Sequence, residues 1–224
     1  MPFISSCNIA CGGHFGDANS IDKILKLAIE NKVKIGAHPS FPDKENFGRK
    51  LMQISDDELI KSIQNQMDLF IERLSFFNKK LHHIKPHGAL YNAIAVDKKM
   101  AISFISCIKK YIKDAFLYVP YNSEIEKVAL NNNINIKYEA FADRNYNNDI
   151  TLVSRTLEKA IISDEKEVLS HVLNMIQNKK VQTISGLEIQ IKVDTFCVHS
   201  DTKNAIEIVK FLHQNLEKKG FKIE

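Results

Sequence analysis

The amino-acid sequence predicts an α/β fold in which parallel strands alternate with helices. Short apolar runs alternate with segments whose apolar residues recur every three or four positions, an order that is typical of parallel sheets. Of the 224 residues, 44% are hydrophobic and 26% are charged, a composition typical of a soluble globular protein with a large core. No repeat or Pro/Gly/Ser-rich linker divides the chain, so we expect one domain over residues 1–224.

The first predicted strand covers residues 3–9. Ile21, Leu25 and Ala28 then share one face of a helix predicted over residues 20–31. A buried strand is predicted over residues 33–37. Ser55 and Glu58 have the spacing of a capping box, which predicts a helix from Ser55 to about residue 78.

The second half of the chain continues this alternation. Its strands are predicted over residues 81–85, 116–119, 134–141 and 190–198. Its helices are predicted over residues 90–112, 123–131, 164–177 and 201–219. Asp201 is expected to cap the last helix.

Charge and cysteine spacing exclude several classes of protein. The formal net charge is only +4, from 31 basic and 27 acidic residues, which is too mild for a nucleic-acid binder. Cys7, Cys11, Cys107 and Cys197 show no C-x-x-C spacing, so we expect buried thiols rather than a zinc site or disulfides. No apolar run approaches the roughly 20 residues of a membrane span, and no leader opens the chain, so we expect a cytoplasmic protein.

Polar, glycine- and proline-containing runs begin where the predicted strands end. They lie at residues 11–17, 38–43, 85–88, 143–144 and 199–201. Because loops at the carboxyl ends of parallel strands converge, we expect these runs to build one site.

The first two runs each have a catalytic and a structural interpretation. His14 and Asp17 suit metal binding or a carboxylate-oriented general base, or Asp17 simply caps the next helix. His38 and Asp43 lie in a loop stiffened by two prolines, which suits a site of fixed geometry or a capping turn. Arg49, in the same long loop, is either an anion clamp or a surface residue.

The later runs place charged residues at the ends of apolar strands. Lys85, at the end of a strand, needs an anionic partner, either a protein carboxylate or a substrate phosphate, and His87 follows at the start of a helix. Asp143 and Arg144 end another strand and point in different directions. His199 precedes the last helix and is either functional or structural.

Four runs closely resemble the LamB/YcsF family, in order along the chain. They are residues 8–17, 36–43 with 47–49, 85–92 and 139–144. The resemblance implies an irregular seven-stranded (β/α) barrel of the glycoside hydrolase/deacetylase type. It also implies the A subunit of ATP-dependent 5-oxoprolinase, which with the B and C subunits converts 5-oxo-L-proline, ATP and water to L-glutamate, ADP and phosphate. Family members begin with an Asp-x-Asn-x-Asp strand that precedes the first run; here Met1 falls just before that run, so we expect this first strand to be missing.

The resemblance implies roles for the candidate residues. Lys85, Arg49 and Arg144 would neutralise phosphate, and Asp43 and His199 would help to bind substrate. The catalytic group would be His14, Asp17, His38, Lys85, His87 and Asp143, which we expect to surround one cavity. ATP, with Mg²⁺, would be a co-substrate, and no tightly bound organic cofactor is expected. Two alternatives stay open: a metal-dependent deacetylase-like hydrolase, and an inactive truncated subunit that only binds partners.

Overall fold

The computed structural model describes residues 1–223. They group into two compact units, the first formed by residues 1–2 and 6–136 and the second by residues 3–5 and 137 onward. Within the described residues, no helix is both long and apolar enough to cross a membrane.

The first unit contains four strands that pair in parallel in the order β1-β2-β3-β4. The strands are β1 (Ser6–Ala10), β2 (Lys34–His38), β3 (His83–Ile84) and β4 (Phe116–Val119). The helices are α1 (Ala18–Glu30), α2 (Asp56–Phe76), α3 (Gly88–Val96), α4 (Lys98–Ile108) and α5 (Glu124–Asn131). Ala10 lies opposite His38 in the register, so the segments that follow β1 and β2 leave the sheet at the same edge.

Local sequence explains how the helices of this unit begin. Asp17 caps α1 by accepting a hydrogen bond from Ser20 N at 2.8 Å. Ser55 and Glu58 form the predicted capping box at the start of α2. The apolar face of α1 is fully buried at Ile21, Leu25 and Ala28, and α1 packs against α2.

The second unit contains a parallel pair and an antiparallel pair of strands. Its elements are β5 (Ile136–Phe141), α6 (Glu165–Gln177), β6 (Lys180–Gln182), β7 (Glu188–Gln190), β8 (Thr195–Cys197) and α7 (Ala205–Lys218). β5 and β8 are parallel, with Phe141 opposite Cys197, whereas β6 and β7 form an antiparallel hairpin. Val168 and Val172 of α6 share a buried cluster with Ile208 and Leu212 of α7.

Two predicted helices differ from the structure, and one hairpin was not anticipated. The helix predicted over residues 90–112 is two helices, because Asp97 leaves the helical conformation and caps α4 through Met100 N at 3.0 Å. The last helix begins at Ala205, after Asn204 in a left-handed conformation with φ of 59°, so Asp201 is not its cap; its carboxylate instead lies 3.4 Å from Arg155. The hairpin of β6 and β7 was not predicted.

Gly36 of β2 lies directly against the ring of His83, and this contact predicts the effect of one substitution. A Cβ at position 36 would lie 2.0 Å from His83 Nε2. The ring cannot move aside easily, because it stacks on Tyr118 at 4.0 Å and hydrogen-bonds Asn8 Oδ1 at 2.8 Å. We expect Gly36→Ala to lower the free energy of unfolding by about 2–3 kcal/mol, measured by urea denaturation.

A double-mutant cycle tests the cause of that loss. In a His83→Ala background the ring is absent, so Gly36→Ala should then cost much less than it does in the parent protein. An equal cost in both backgrounds would show that backbone conformation at Gly36, not the His83 ring, sets the requirement for glycine.

Candidate functional site

Two histidines at the carboxyl edge of the first unit's sheet form a continuous hydrogen-bonded chain. His38 ends β2, and its Nδ1 lies 2.6 Å from the carbonyl oxygen of Lys85. Its Nε2 lies 3.0 Å from Nδ1 of His87. His87 Nε2 in turn lies 2.8 Å from the carbonyl oxygen of Phe47. Each ring is therefore fixed at both nitrogens.

His14 completes this cluster, which we call the histidine cluster (His14, His38 and His87). The His14 ring stacks on His87, with centroids 3.8 Å apart and planes 10° apart, and meets His38 edge-on at 5.7 Å. His14 is only 4% exposed. Its Nδ1 is buried and, within residues 1–223, has no hydrogen-bond partner.

The long loop between β2 and α2 closes over the cluster. Gly48, with φ of +64°, lies so close that a Cβ there would come within 3.0 Å of both His14 and His87. The Gly48 carbonyl accepts a hydrogen bond from Ala89 N at 2.9 Å. Gln66 of α2 holds the loop's other end, accepting from Ser40 N at 3.0 Å and donating to Ser40 O at 2.8 Å. The loop is thus tied to both α2 and α3.

The electrostatic surroundings keep the three imidazoles neutral. Burial lowers the pKa of His14 to about 4, with a further contribution from the Arg49 charge. Burial, then the neighbouring His14, Arg49 and Lys85, lower the pKa of His87 to about 3. Burial, then the neighbouring His87, Lys85 and His14, hold the pKa of His38 well below its usual value.

The two predicted cations of this unit lie beside the cluster. Lys85 is 4% exposed, and its Nζ lies 5.7 Å from the centre of the Tyr91 ring. Arg49 is half-buried and lies over the Phe47 ring at 5.2 Å. Both cations affect the pKa values of the histidines, which places them in the same electrostatic environment.

The two predicted carboxylates of this unit have structural contacts. Asp17 is exposed and caps α1, as its structural interpretation anticipated. Asp43 Oδ1 accepts hydrogen bonds from Asn46 N at 3.0 Å and Asn46 Nδ2 at 2.9 Å. Asp43 Oδ2 is buried and has no hydrogen-bond partner in the described part of the chain, so this carboxylate keeps one oxygen for another group.

In the second unit, Asp143 and His199 form a buried carboxylate–imidazole pair. His199 Nδ1 lies 2.9 Å from Asp143 Oδ1, and the His199 backbone N–H donates to Asp143 Oδ2 at 2.9 Å. Thr202 Oγ1 donates to the same oxygen at 2.5 Å. Burial raises the pKa of Asp143, but the hydrogen bonds and charge of His199 and the Thr202 hydroxyl outweigh it, so the net pKa lies below its ordinary value. Asp143 thereby fixes the orientation of the His199 ring.

Arg144 makes structural contacts that the sequence did not predict. Its Nε donates to the carbonyl of Ala160 at 3.0 Å, and its Nη2 donates to the carbonyl of Val153. Arg144 is 4% exposed. It therefore anchors the segment between β5 and α6, and a role in phosphate binding stays a prediction.

The structure therefore brings together some of the predicted site residues within each unit. It joins His14, His38 and His87, with Lys85 and Arg49 beside them, in the first unit, and Asp143 with His199 in the second. The expectation that all six predicted catalytic residues surround one cavity stays a prediction. Sequence reasoning missed Gln66 and Thr202, since neither lies in a distinctive run.

The contacts of Asp143 predict the result of one substitution. Asp143→Asn keeps the size of the side chain but replaces one acceptor oxygen by a donor nitrogen that faces buried donors. We expect a loss of about 1–3 kcal/mol in the free energy of unfolding, with Thr202→Val costing less because it removes a single donor. Chemical denaturation of both variants would check this order; an Asn variant as stable as the parent would show that the pair contributes no net stability.

The ring nitrogens leave little capacity for a metal ion in this cluster. His38 and His87 use both of their nitrogens in the contacts above, so neither directs a lone pair outward. Throughout residues 1–223, no group of three or more His, Cys, Asp or Glu side chains is placed to hold a metal ion. The hydrogen-bonded geometry thus fits proton handling better than metal ligation.

Comparisons with known proteins identify the family. The LamB/YcsF family profile matches residues 1–224. Curated relatives named as the A subunit of 5-oxoprolinase include those of Campylobacter jejuni subsp. doylei, 41% identical, and Pyrococcus horikoshii, 38% identical; each alignment spans 223 residues, 100% of this chain and 88% of the relative. A lactam utilization protein from Thermus thermophilus has a solved structure that is 32% identical, with a TM-score of 0.92 over 100% of this chain and 89% of that one. The predicted α/β fold class is confirmed, and the chain belongs to the LamB/YcsF family.

Proposed function

We propose that this chain is the A subunit of an ATP-dependent 5-oxoprolinase, which hydrolyses 5-oxo-L-proline to L-glutamate together with B and C subunits. The observation that carries the proposal is the match, over 100% of this chain, to curated relatives that are named as that subunit. The histidine cluster adds support, because its imidazoles are neutral at pH 7 and lactam hydrolysis requires a neutral base that can take a proton from water.

The chemistry explains why ATP enters this reaction. Opening a lactam with water requires the loss of amide resonance. Transfer of the ATP γ-phosphoryl group to the lactam oxygen removes that resonance and activates the carbon for attack by water. The C–N bond then breaks as the nitrogen takes a proton, which leaves an acyl phosphate. A second water hydrolyses this acyl phosphate, so that the sum is 5-oxo-L-proline, ATP and two waters giving L-glutamate, ADP and phosphate.

Residues of this chain have defined tasks in the proposal. His14, which is neutral at pH 7, would take the proton of the attacking water. Lys85 and Arg49 would offset the negative charge of the phosphorylated lactam. Asp43 would use its remaining oxygen to orient a donor of the substrate or of water. Asp143 and His199 would transfer protons in their own unit.

Reconstitution tests the proposal directly. The purified chain, combined with the B and C subunits from the same organism, should release glutamate, ADP and phosphate in equal amounts from 5-oxo-L-proline and ATP. Omission of this chain or of ATP should abolish glutamate release. His14→Gln should lower the rate by ~100-fold or more, whereas His213→Gln, a matched change on α7, should not.

Two results would replace the proposal. Glutamate release, or deacetylation of acetylated sugars, that needs a divalent metal but not ATP would identify a metal-dependent hydrolase. Assembly with B and C without any turnover would identify a subunit that only binds its partners.

A further inference from the structure

The His38 and His87 rings lie in three hydrogen-bond contacts, which is more than two neutral imidazoles can satisfy. Their outer contacts end on the carbonyl oxygens of Lys85 at 2.6 Å and Phe47 at 2.8 Å. Carbonyl oxygens only accept, so both outer ring nitrogens must carry hydrogen. The inner nitrogens, His38 Nε2 and His87 Nδ1, face each other at 3.0 Å, and this contact also needs one hydrogen.

Counting protons shows the mismatch. Three contacts require three hydrogens, whereas two neutral rings supply two. In every neutral arrangement one contact therefore sets two lone pairs against each other, either between the rings or against a carbonyl. With one additional proton, shared between His38 and His87, every contact is satisfied. The geometry is thus built for a pair that carries a single positive charge.

Burial and two neighbouring cations oppose that charge. Lys85 and Arg49 both lower the pKa of a ring of the pair, and the stacked His14 ring acts in the same direction. Burial adds to the cost of a positive charge here. A negative group within this cluster would offset both effects and let the pair take its third proton.

His14 supplies a second observation that indicates a ligand. The residue is 96% buried, since its exposed fraction is 4%. Its Nδ1 has no hydrogen-bond partner among residues 1–223, although buried polar atoms are nearly always satisfied. His14 stacks on His87 at 3.8 Å, so a ligand at Nδ1 would lie beside the pair.

We infer that the histidine cluster binds a small oxyanion and that the His38–His87 pair takes up one proton as the anion binds. The oxyanion is either a carboxylate, such as that of 5-oxo-L-proline, or a phosphoryl group. The inference rests on the proposed function only for the choice of the carboxylate probe. In the ATP-coupled reaction, the stored proton would be available to the lactam nitrogen as its bond to carbon breaks.

Calorimetry on the full chain, without ATP or the B and C subunits, tests this inference. 5-Oxo-L-proline and inorganic sulfate serve as separate probes, because neither changes its charge between pH 6 and pH 8. Titrations in buffers of different ionisation enthalpy should show uptake of about one proton per chain for each bound anion. The dissociation constant should rise about tenfold for each pH unit over the same range.

Variants separate the pair from other histidines. His38→Gln should bind the anion without proton uptake and without the pH dependence. His82→Gln is the matched control, because His82 also contacts another histidine, His83, at 3.0 Å but lies outside the cluster; its proton uptake should equal that of the parent protein. Circular dichroism confirms that each variant is folded.

The outcomes distinguish the two kinds of anion, and they separate failure of this inference from failure of the proposed function. Proton-coupled binding of 5-oxo-L-proline alone assigns a carboxylate site, and that of sulfate alone assigns a phosphoryl site. Absence of binding by both probes, or binding without proton uptake in the parent protein, would overturn the inference. Since glutamate release is measured separately in the reconstituted enzyme, proton uptake without turnover would contradict the proposed function alone.

Discussion

Replacement of Lys85 by methionine is expected to reduce partner-supported glutamate release by ~100-fold or more while the chain remains folded. Lys85 is 4% exposed and lowers the pKa of both His38 and His87, so its charge acts on the histidine cluster. Methionine retains most of the side-chain volume, which limits the loss to the charge. A buried cation beside a developing anion stabilises the transition state more than the ground state.

A second measurement separates a chemical role of Lys85 from a purely structural one. If Lys85 acts on the cluster, the methionine variant should show higher pKa values for His38 and His87 by NMR, because a cationic neighbour has gone. Lys34→Met is the control, since Lys34 is exposed and lies at the other end of β2. Turnover within about twofold of the parent would make Lys85 a structural ion pair.

The elements that sequence predicted well are those determined by local chemistry. The Asp17 and Ser55 side chains cap their helices by accepting hydrogen bonds from backbone N–H groups three residues later, and β4 has the predicted bounds, Phe116–Val119. The position of His38 at the end of β2 followed from the apolar run before it. Such features need only a few neighbouring residues, so one sequence is sufficient to find them.

The remaining features depend on contacts that the sequence alone does not indicate. The hydrogen bonds of His38 and His87 end on the backbone carbonyls of Lys85 and Phe47. Because every residue has a carbonyl, the sequence does not indicate which ones are used. The break at Asp97 lies inside a continuous apolar pattern, where a single capping side chain outweighs the periodicity. The turn of the β6–β7 hairpin contains Gly186, with φ of +87°. Its strands are too short to show an alternation of apolar and polar residues.

The chain is expected to lose several kcal/mol of stability when the pH falls from 6.5 to 4, because its clustered histidines are buried in the neutral form. An unfolded histidine has a pKa of about 6.5, whereas the pKa of His14 is lowered to about 4 and that of His87 to about 3. Between these values the unfolded chain binds more protons than the folded chain. Acid therefore favours unfolding, and the stability is complete only above pH 6.5.

The size of the effect follows from the same pKa values. Each pH unit between the folded and unfolded pKa of one group is worth about 1.4 kcal/mol. Acidification to pH 4 then removes about 3 kcal/mol through His14 alone, and His38 and His87 act in the same direction. Asp143 adds a separate loss at lower pH: its folded pKa is depressed, so its contribution is present above about pH 4 and disappears as the pH falls through the folded pKa.

Urea denaturation at closely spaced pH values between 7 and 4 measures this dependence. The free energy of unfolding should fall steadily below pH 6.5 in the parent protein. It should fall less steeply in His14→Gln, which removes one titrating group from the cluster. A flat profile down to pH 4 in the parent protein would mean that the folded cluster accepts protons as readily as the unfolded chain. The cationic neighbours Lys85 and Arg49 would then be offset by negative charge already present in the folded protein, and no entering anion would be needed to protonate the pair.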